Sequence, residues 1–225
     1  MLSKGIKFMT ENIKITWLGH ACFTIEADSY KILIDPYKNG YVPGFELNTQ
    51  YVNEVLCSHE HADHNFREAA KLLPNTENPF RITGISTYHD NKNGSLRGKN
   101  TIYILEAHGI KIIHFGDIGC DITEKQVQML KGADAAMIPV GGFYTISAQE
   151  ANDIVCKISP KIVIPMHYRT GDYGFRELGD INEFTKLRDD VVYGTGNTVE
   201  ITKNSLPGCI VPKYIPETDS DGKVR

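Results

Sequence analysis

Residues 57–65 read Cys-Ser-His-Glu-His-Ala-Asp-His-Asn, which contains the pattern H-x-H-x-D-H from His59 to His64. Three imidazoles and a carboxylate this close together suit a borderline divalent transition metal, zinc first, with Mn, Ni or Fe also accepting such ligands. The chain has 8 histidines and 14 aspartates among 225 residues, so chance placement would give only ~0.0006 such matches. His59 and His61 lie two apart, and in an extended segment both rings leave the backbone on the same side. Asp63 and His64 begin a turn and reach a second, neighbouring point.

Three further residues stand where apolar stretches end beside turn residues: His89, Asp117 and His167. The expected grouping puts His59, His61 and His89 at one metal ion and Asp63, His64 and His167 at a second. Asp117 would bridge them, with Gly116 and Gly119 allowing its close approach. Two divalent ions ~3.5–4 Å apart form a hydrolytic clamp, in which the pKa of a bridging water falls from 15.7 to roughly 7. The resulting hydroxide would attack phosphorus or a carbonyl carbon, and the metals would neutralise the oxyanion that develops. Asp63 is the expected catalytic carboxylate, orienting the hydroxide and shuttling its proton.

Arg97, Tyr144, Tyr168 and Arg169 lie on loops beside these ligands and are the expected substrate-binding residues. If the chain stays extended past His167, Arg169 points the same way as that ligand and favours a phosphate-bearing substrate through paired hydrogen bonds. Of the other histidines, His20 in Gly19-His20-Ala21 is open between facing the site and a structural role. His114 reads as a core or supporting residue, and His108 as a solvated hairpin turn.

The elements that must position these residues follow from periodicity. Ile13–Leu18, Cys22–Glu26 and Lys31–Ile34 form an antiparallel meander, closed by Asp35-Pro36. A Gly-, Pro- and Tyr-bearing loop over 37–48 can wall the site. Residues 51–58 read as a short buried strand, and 66–73 as a helix with Phe66, Ala69, Ala70 and Leu73 on one face. Strands are expected at 80–88, 101–106, 111–115, 134–140 and 161–166. Capping boxes at Thr123–Gln126 and Ser147–Glu150 open two helices. A last helix fits 181–188, followed by short strands near Val191 and Thr198. Residues 1–12 read as a loose or edge segment and 216–225 as frayed. Meanders followed by strands alternating with helices imply an α/β architecture of two sheets with helices outside, in one domain spanning 1–225.

Composition bounds the rest. Hydrophobic content of 41% and charged content of 23% are those of an ordinary globule. A net charge of −4 argues against a nucleic-acid partner. The five scattered cysteines favour reduced thiols and a cytoplasmic location, and no leader or membrane-spanning stretch is expected. A small-molecule substrate is the expected partner, with a homo-oligomer left open.

The ordered set of H-x-H-x-D-H, His89, Asp117 and His167 resembles the metallo-β-lactamase superfamily, with the likeness running over about 13–203. Trp17-Leu18-Gly19-His20-Ala21, Gly116-Asp117-Ile118-Gly119, Pro139-Val140-Gly141-Gly142-Phe143-Tyr144-Thr145 and Pro165-Met166-His167-Tyr168 look like its compact metal-dependent hydrolase branch. That branch is similar to L-ascorbate-6-phosphate lactonase and, more distantly, to N-acyl-phosphatidylethanolamine phospholipase D. The resemblance implies a four-layer αβ/βα sandwich with a dinuclear metal site at one edge of two facing sheets. It implies hydrolysis of a small, phosphate-bearing ester, phosphodiester or lactone. A di-iron oxidoreductase of the same fold and a non-catalytic metal-binding module are the alternatives. Asp117 stands where zinc β-lactamases often carry Cys, so antibiotic hydrolysis is not expected.

Overall fold

The computed structural model describes residues 11–74 and 76–216. The expected meander is present as β1 (Ile13–Gly19), β2 (Cys22–Ala27) and β3 (Tyr30–Ile34), with Ile15 opposite Ile25 and Ile25 opposite Ile32. The single strand expected over 51–58 is instead two, β4 (Gln50–Val52) and β5 (Glu54–Leu56), followed by a 3-10 turn at Arg67–Ala69 and β6 (Ala70–Leu72). Next come β7 (Arg81–Tyr88), β8 (Lys99–Ala107), β9 (Ile110–His114), α1 (Glu124–Leu130) and β10 (Ala135–Pro139). The chain continues through α2 (Ala148–Ile158), β11 (Ile162–Met166), α3 (Asn182–Thr185), β12 (Val191–Tyr193), β13 (Thr198–Ile201) and β14 (Gly208–Val211).

These strands make a five-stranded sheet, ordered β13-β1-β2-β3-β5, and a seven-stranded sheet, ordered β12-β14-β11-β10-β9-β8-β7; β4 and β6 pair separately. β13 returns from the C-terminal part to pair with β1, Ile13 opposite Ile201. The sheets face each other across the core, where Phe23 of β2 meets the ring of His114 of β9 edge-on, 5.8 Å between centroids. Along β1, Ile13, Ile15 and Trp17 are buried while Lys14 is exposed, the period of two that a one-sided strand requires. β10 and β11 pair in parallel and are buried throughout, as central strands covered on both faces must be. The outer cover of β10 is α2, which buries Ala151, Ile154, Val155 and Ile158. Both predicted capping boxes are formed, at Thr123 with Gln126 and at Ser147 with Glu150. The result is an α/β sandwich of two facing sheets.

Two expected helices need correction, and one strand is unforeseen. The helix over 66–73 is a 3-10 turn and a strand: of its intended face only Ala69 is buried, and Leu73 is 38% exposed. An eight-residue segment ending at Pro74 has too little apolar face to sustain a helix, whereas β4 offers an unpaired edge that residues 70–72 fill. The helix over 181–188 contracts to α3. β14, lying between Pro207 and Pro212, has no counterpart in the sequence reading. Of the loose segments expected at the ends, 1–10 and 217–225 lie outside the described residues.

Candidate metal centre

Six strand ends converge on one rim, three from each sheet. The five-stranded sheet contributes His20 from the β1–β2 turn, Asp35 after β3 and His59–His64 after β5; the seven-stranded sheet contributes His89 after β7, Asp117 after β9 and His167 after β11. His20, Asp35 and His167 have φ of 52, 50 and 53°. A non-glycine residue there costs on the order of 1–3 kcal/mol and persists only when its surroundings over-determine it. Here the His20 carbonyl accepts from Trp17 Nε1 at 3.0 Å and from His167 N at 3.2 Å, tying the two turns together. Gly116 has φ 56°, and a Cβ there would collide with the Asn100 side chain and Ser58. Asn100 Oδ1 accepts from Asp117 N at 2.9 Å and its Nδ2 donates to Phe115 O at 2.9 Å, so the loop carrying Asp117 is held from both ends.

Asp117 Oδ2 is the hub. It lies 3.0 Å from His167 Nε2, 3.1 Å from His64 Nε2, 3.3 Å from His89 Nε2 and 4.0 Å from His59 Nε2. Donor atoms of His59, His61 and His89 lie within 4.8 Å of one another, as do those of His20, Asp63, His64 and His167. All seven expected ligands are therefore brought together, and His20 joins the second group with Nε2 3.3 Å from Asp63 Oδ2.

The chemistry of this set fits divalent transition ions. Asp117 Oδ1 and His64 Nε2 are buried with no hydrogen-bond partner among the described residues; His64 Nε2 is near Asp117 Oδ2 but not aligned to it. Orphaned buried donors and acceptors cost about 1–3 kcal/mol each, and a cation between them would remove that cost. Burial, with neighbouring His64, brings His59 down to about 3, and burial with His167 brings His20 down to about 4, so both rings are neutral and keep a free lone pair. Burial alone would raise Asp117, but His167 and His64 hold it well below the usual carboxylate range. Asp63 is lowered in the same way, chiefly by His64 and His20 against its own burial. His64 goes up despite burial, because Asp117 and Asp63 favour positive charge at that point.

Asp35 is the site residue that the sequence reading missed. It is fully buried and accepts from Ser58 N and Ser58 Oγ, both at 2.6 Å, with His64 Nδ1 at 3.0 Å. Ser58 Oγ in turn lies 2.9 Å from His59 Nδ1. A proton on His64 Nδ1, donated to Asp35, leaves the Nε2 lone pair facing Asp117. The available signal was position: Asp35 ends an apolar strand, as His89 and His167 do. His114 plays the supporting part expected of it, with Nε2 2.9 Å from Ala21 O and Nδ1 accepting from Gly116 N at 3.1 Å. His108 lies in the β8–β9 hairpin turn as expected but is not solvated: it is partly buried, 3.2 Å from Asp28 Oδ2 in the neighbouring hairpin.

Above the centre lies a cleft of about 500 Å³ with His61, Asp63, His89, Asp117 and His167 on its floor. Tyr41, Tyr144 and Phe175 form an aromatic wall, Phe175 lying 6.3 Å from Tyr41 and 6.1 Å from Tyr144 between ring centroids. Tyr41 comes from the 37–48 loop that was expected to wall the site, whereas nothing local marks Phe175. Arg97 borders this wall, its guanidinium 5.7 Å from the Tyr144 ring centroid and Nη2 donating to Phe143 O at 3.3 Å. Two substrate-binding expectations are corrected. Tyr168 is buried and stacks on Trp17 at 5.6 Å, away from the cleft, and burial pushes its hydroxyl pKa up. Arg169 lines a separate depression with Pro43 and Arg176. The cause is the left-handed backbone at His167, which breaks the extended alternation that would have aimed Arg169 at the metals.

A Beta-lactamase superfamily domain matches this chain over residues 14–167. A UPF0173 metal-dependent hydrolase of Caldivirga maquilingensis is 30% identical over 192 residues, covering 69% of this chain and 82% of that protein. Another, from Pyrococcus furiosus, is 29% identical over 228 residues, covering 84% and 100%. Among solved structures, a candidate Zn-dependent hydrolase of the metallo-β-lactamase superfamily from Thermotoga maritima superposes with a TM-score of 0.67. It is 30% identical, covering 89% of this chain and 98% of that one.

Proposed function

The chain belongs to the metallo-β-lactamase superfamily and is a metal-dependent hydrolase, and from that premise we propose a dinuclear enzyme acting on a small anionic ester, phosphodiester or lactone. The domain takes in the whole 1–225 span, and the ions are two divalent transition metals, zinc first. One observation carries this reading: a single carboxylate oxygen, Asp117 Oδ2, sits within 3.0–3.3 Å of three imidazole nitrogens belonging to the two donor groups.

His59, His61 and His89 would hold one ion, His64 and His167 with Asp63 the other, and Asp117 both. Such ions bring the pKa of water close to neutral and so supply a hydroxide nucleophile at pH 7. Asp63 is on the cleft floor with its side chain 15% exposed, and His20 and His64 keep it ionised. It accepts a hydrogen bond from the attacking water and orients it, and passes the released proton towards the leaving group. Its low pKa makes orientation the larger part of that role. Arg97, not Arg169, holds the anionic group of the substrate, while Tyr144, Tyr41 and Phe175 pack against the apolar part and exclude water. None of the five cysteines is in a disulfide among the described residues, which supports a reducing, cytoplasmic setting. Among the described residues no helix is long and apolar enough to cross a membrane.

The test is a screen of bis(4-nitrophenyl) phosphate, lactones and thioesters with zinc-, manganese- and nickel-loaded protein. Turnover of the phosphodiester, lost in Asp63→Ala, is the expected result. Failure of every loaded form on every ester would leave a metal-binding module without hydrolase activity.

A further inference from the structure

The cleft continues past Arg97. A second depression of about 420 Å³ shares Glu60, His61 and Arg97 with the first, and its own walls include His59, Lys99 and Thr101. His61 and Arg97 therefore stand between two lobes of different character. One lobe is aromatic, through Tyr41, Tyr144 and Phe175. The other is cationic: Arg97 and Lys99 have no carboxylate partner among the described residues, whereas the acid on that rim, Glu60, accepts a hydrogen bond from Asn65 Nδ2.

Both cations are held in place by the strand end that carries His89. Asp90 accepts from the backbone N–H groups of Lys92, Gly94, Leu96 and Arg97 at 2.7, 2.9, 3.0 and 2.7 Å, folding the 91–98 loop around one carboxylate. His89 N donates to Gly98 O at 3.0 Å, and Lys99 begins β8 opposite Tyr88 of β7. The loop thus presents Arg97 and Lys99 from a fixed base rather than from a free tip.

We propose that this second lobe is a substrate subsite for an anionic group, with Lys99 as its specificity-determining residue. The substrate is then a two-armed ester whose scissile group lies over the metal centre. Its apolar arm rests on the aromatic wall, and its other arm carries a carboxylate or phosphate to Lys99. The inference rests on the hydrolase reading above and names the substrate class for it. Lys99 is exposed, so its contribution is that of a screened ion pair, about three- to fivefold in affinity.

The test needs no turnover. Zinc-loaded protein is titrated calorimetrically with 3-phosphonopropionate and with propylphosphonate, which match in length and differ by a carboxylate in place of a methyl group. The carbon–phosphorus bond resists hydrolysis, so binding alone is read. Wild type is expected to prefer 3-phosphonopropionate by about three- to fivefold. Lys99→Met, which keeps the apolar stem, should abolish the preference, and Lys99→Arg should retain it. Equal affinities in wild type, an undiminished preference in Lys99→Met, or no binding of either probe would each overturn the subsite. Failure of the hydrolase reading would instead appear in the ester screen, where these probes take no part.

Discussion

Replacing Asp35 by asparagine keeps the shape of a fully buried side chain and changes what it can accept. Asp35 Oδ1 accepts from Ser58 N, and Oδ2 accepts from Ser58 Oγ while facing His64 Nδ1. In Asp35→Asn the amide oxygen can still serve Ser58 N, which leaves an NH2 group where Oδ2 stood. The Ser58 hydroxyl can turn to accept from it, but a proton on His64 Nδ1 cannot remain opposite it. His64 must then carry its proton on Nε2, the atom 3.1 Å from Asp117 Oδ2, and that nitrogen can no longer act as a ligand. Loss of such a supporting partner typically weakens metal binding 10- to 100-fold, or ~1.4–2.8 kcal/mol. The metal-free protein should lose about 1.5–3 kcal/mol with the charge-assisted bond. For a chain of this size that lowers Tm by roughly 3–12 °C. Chelator competition gives the first quantity and thermal melts of metal-free protein the second. A folded Asp35→Asn protein that binds both ions as tightly as wild type would refute the role given to Asp35.

The other predictions address the hub, the cleft and the far side of the fold. Asp117→Asn should weaken both metal ions together, seen as loss of metal on dialysis against a mild chelator; retention of one ion at wild-type affinity would mean that the carboxylate serves a single site. Arg97→Gln should lower kcat/KM on an anionic ester by about tenfold, the worth of one charge-assisted hydrogen bond, with Arg169→Ala nearly unchanged in the same assay. The reverse order would restore the extended geometry at His167. Asp134 is buried and accepts from Lys111 N at 2.9 Å and from Lys161 and Lys203 Nζ at 3.0 and 3.3 Å. Burial acts to raise its pKa, but these partners prevail and hold it below the unfolded value. Its stabilisation is therefore present above about pH 4 and is lost as pH falls through the depressed folded value. Asp134→Asn should cost about 1 kcal/mol at pH 7, a modest figure because both lysines are well exposed and screened, and urea melts should show the gap closing in acid.

How much of this was legible in the sequence depended on whether the deciding physics was local. The ligand pattern from His59 to His64, and the placing of His89, Asp117 and His167, could be read because an apolar run followed by turn residues marks a strand end. Both capping boxes could be read because the Thr123–Gln126 and Ser147–Glu150 pairs act across a single turn. Arg169 was misplaced by one dihedral, since φ at His167 decides which way the following residues face. Asp35 was hidden because Asp-Pro reads equally well as a plain turn. Phe66, Ala69, Ala70 and Leu73 satisfy a helical period, yet the edge of β4, a tertiary partner, made 70–72 a strand. Phe175 and the lobe at Lys99 have no local signature, because each exists only once distant loops have met.

The order of the ligands along the chain also bears on biosynthesis. His59, His61 and His89 have all been added to the growing chain by residue 89, whereas the group formed by His20, Asp63 and His64 waits for His167. β13, which pairs with β1 at the edge of the first sheet, follows later still, at Thr198–Ile201. A nascent chain thus holds the residues of one three-imidazole group before those of the other are complete, so the two proposed ions need not be acquired at the same moment or from the same source.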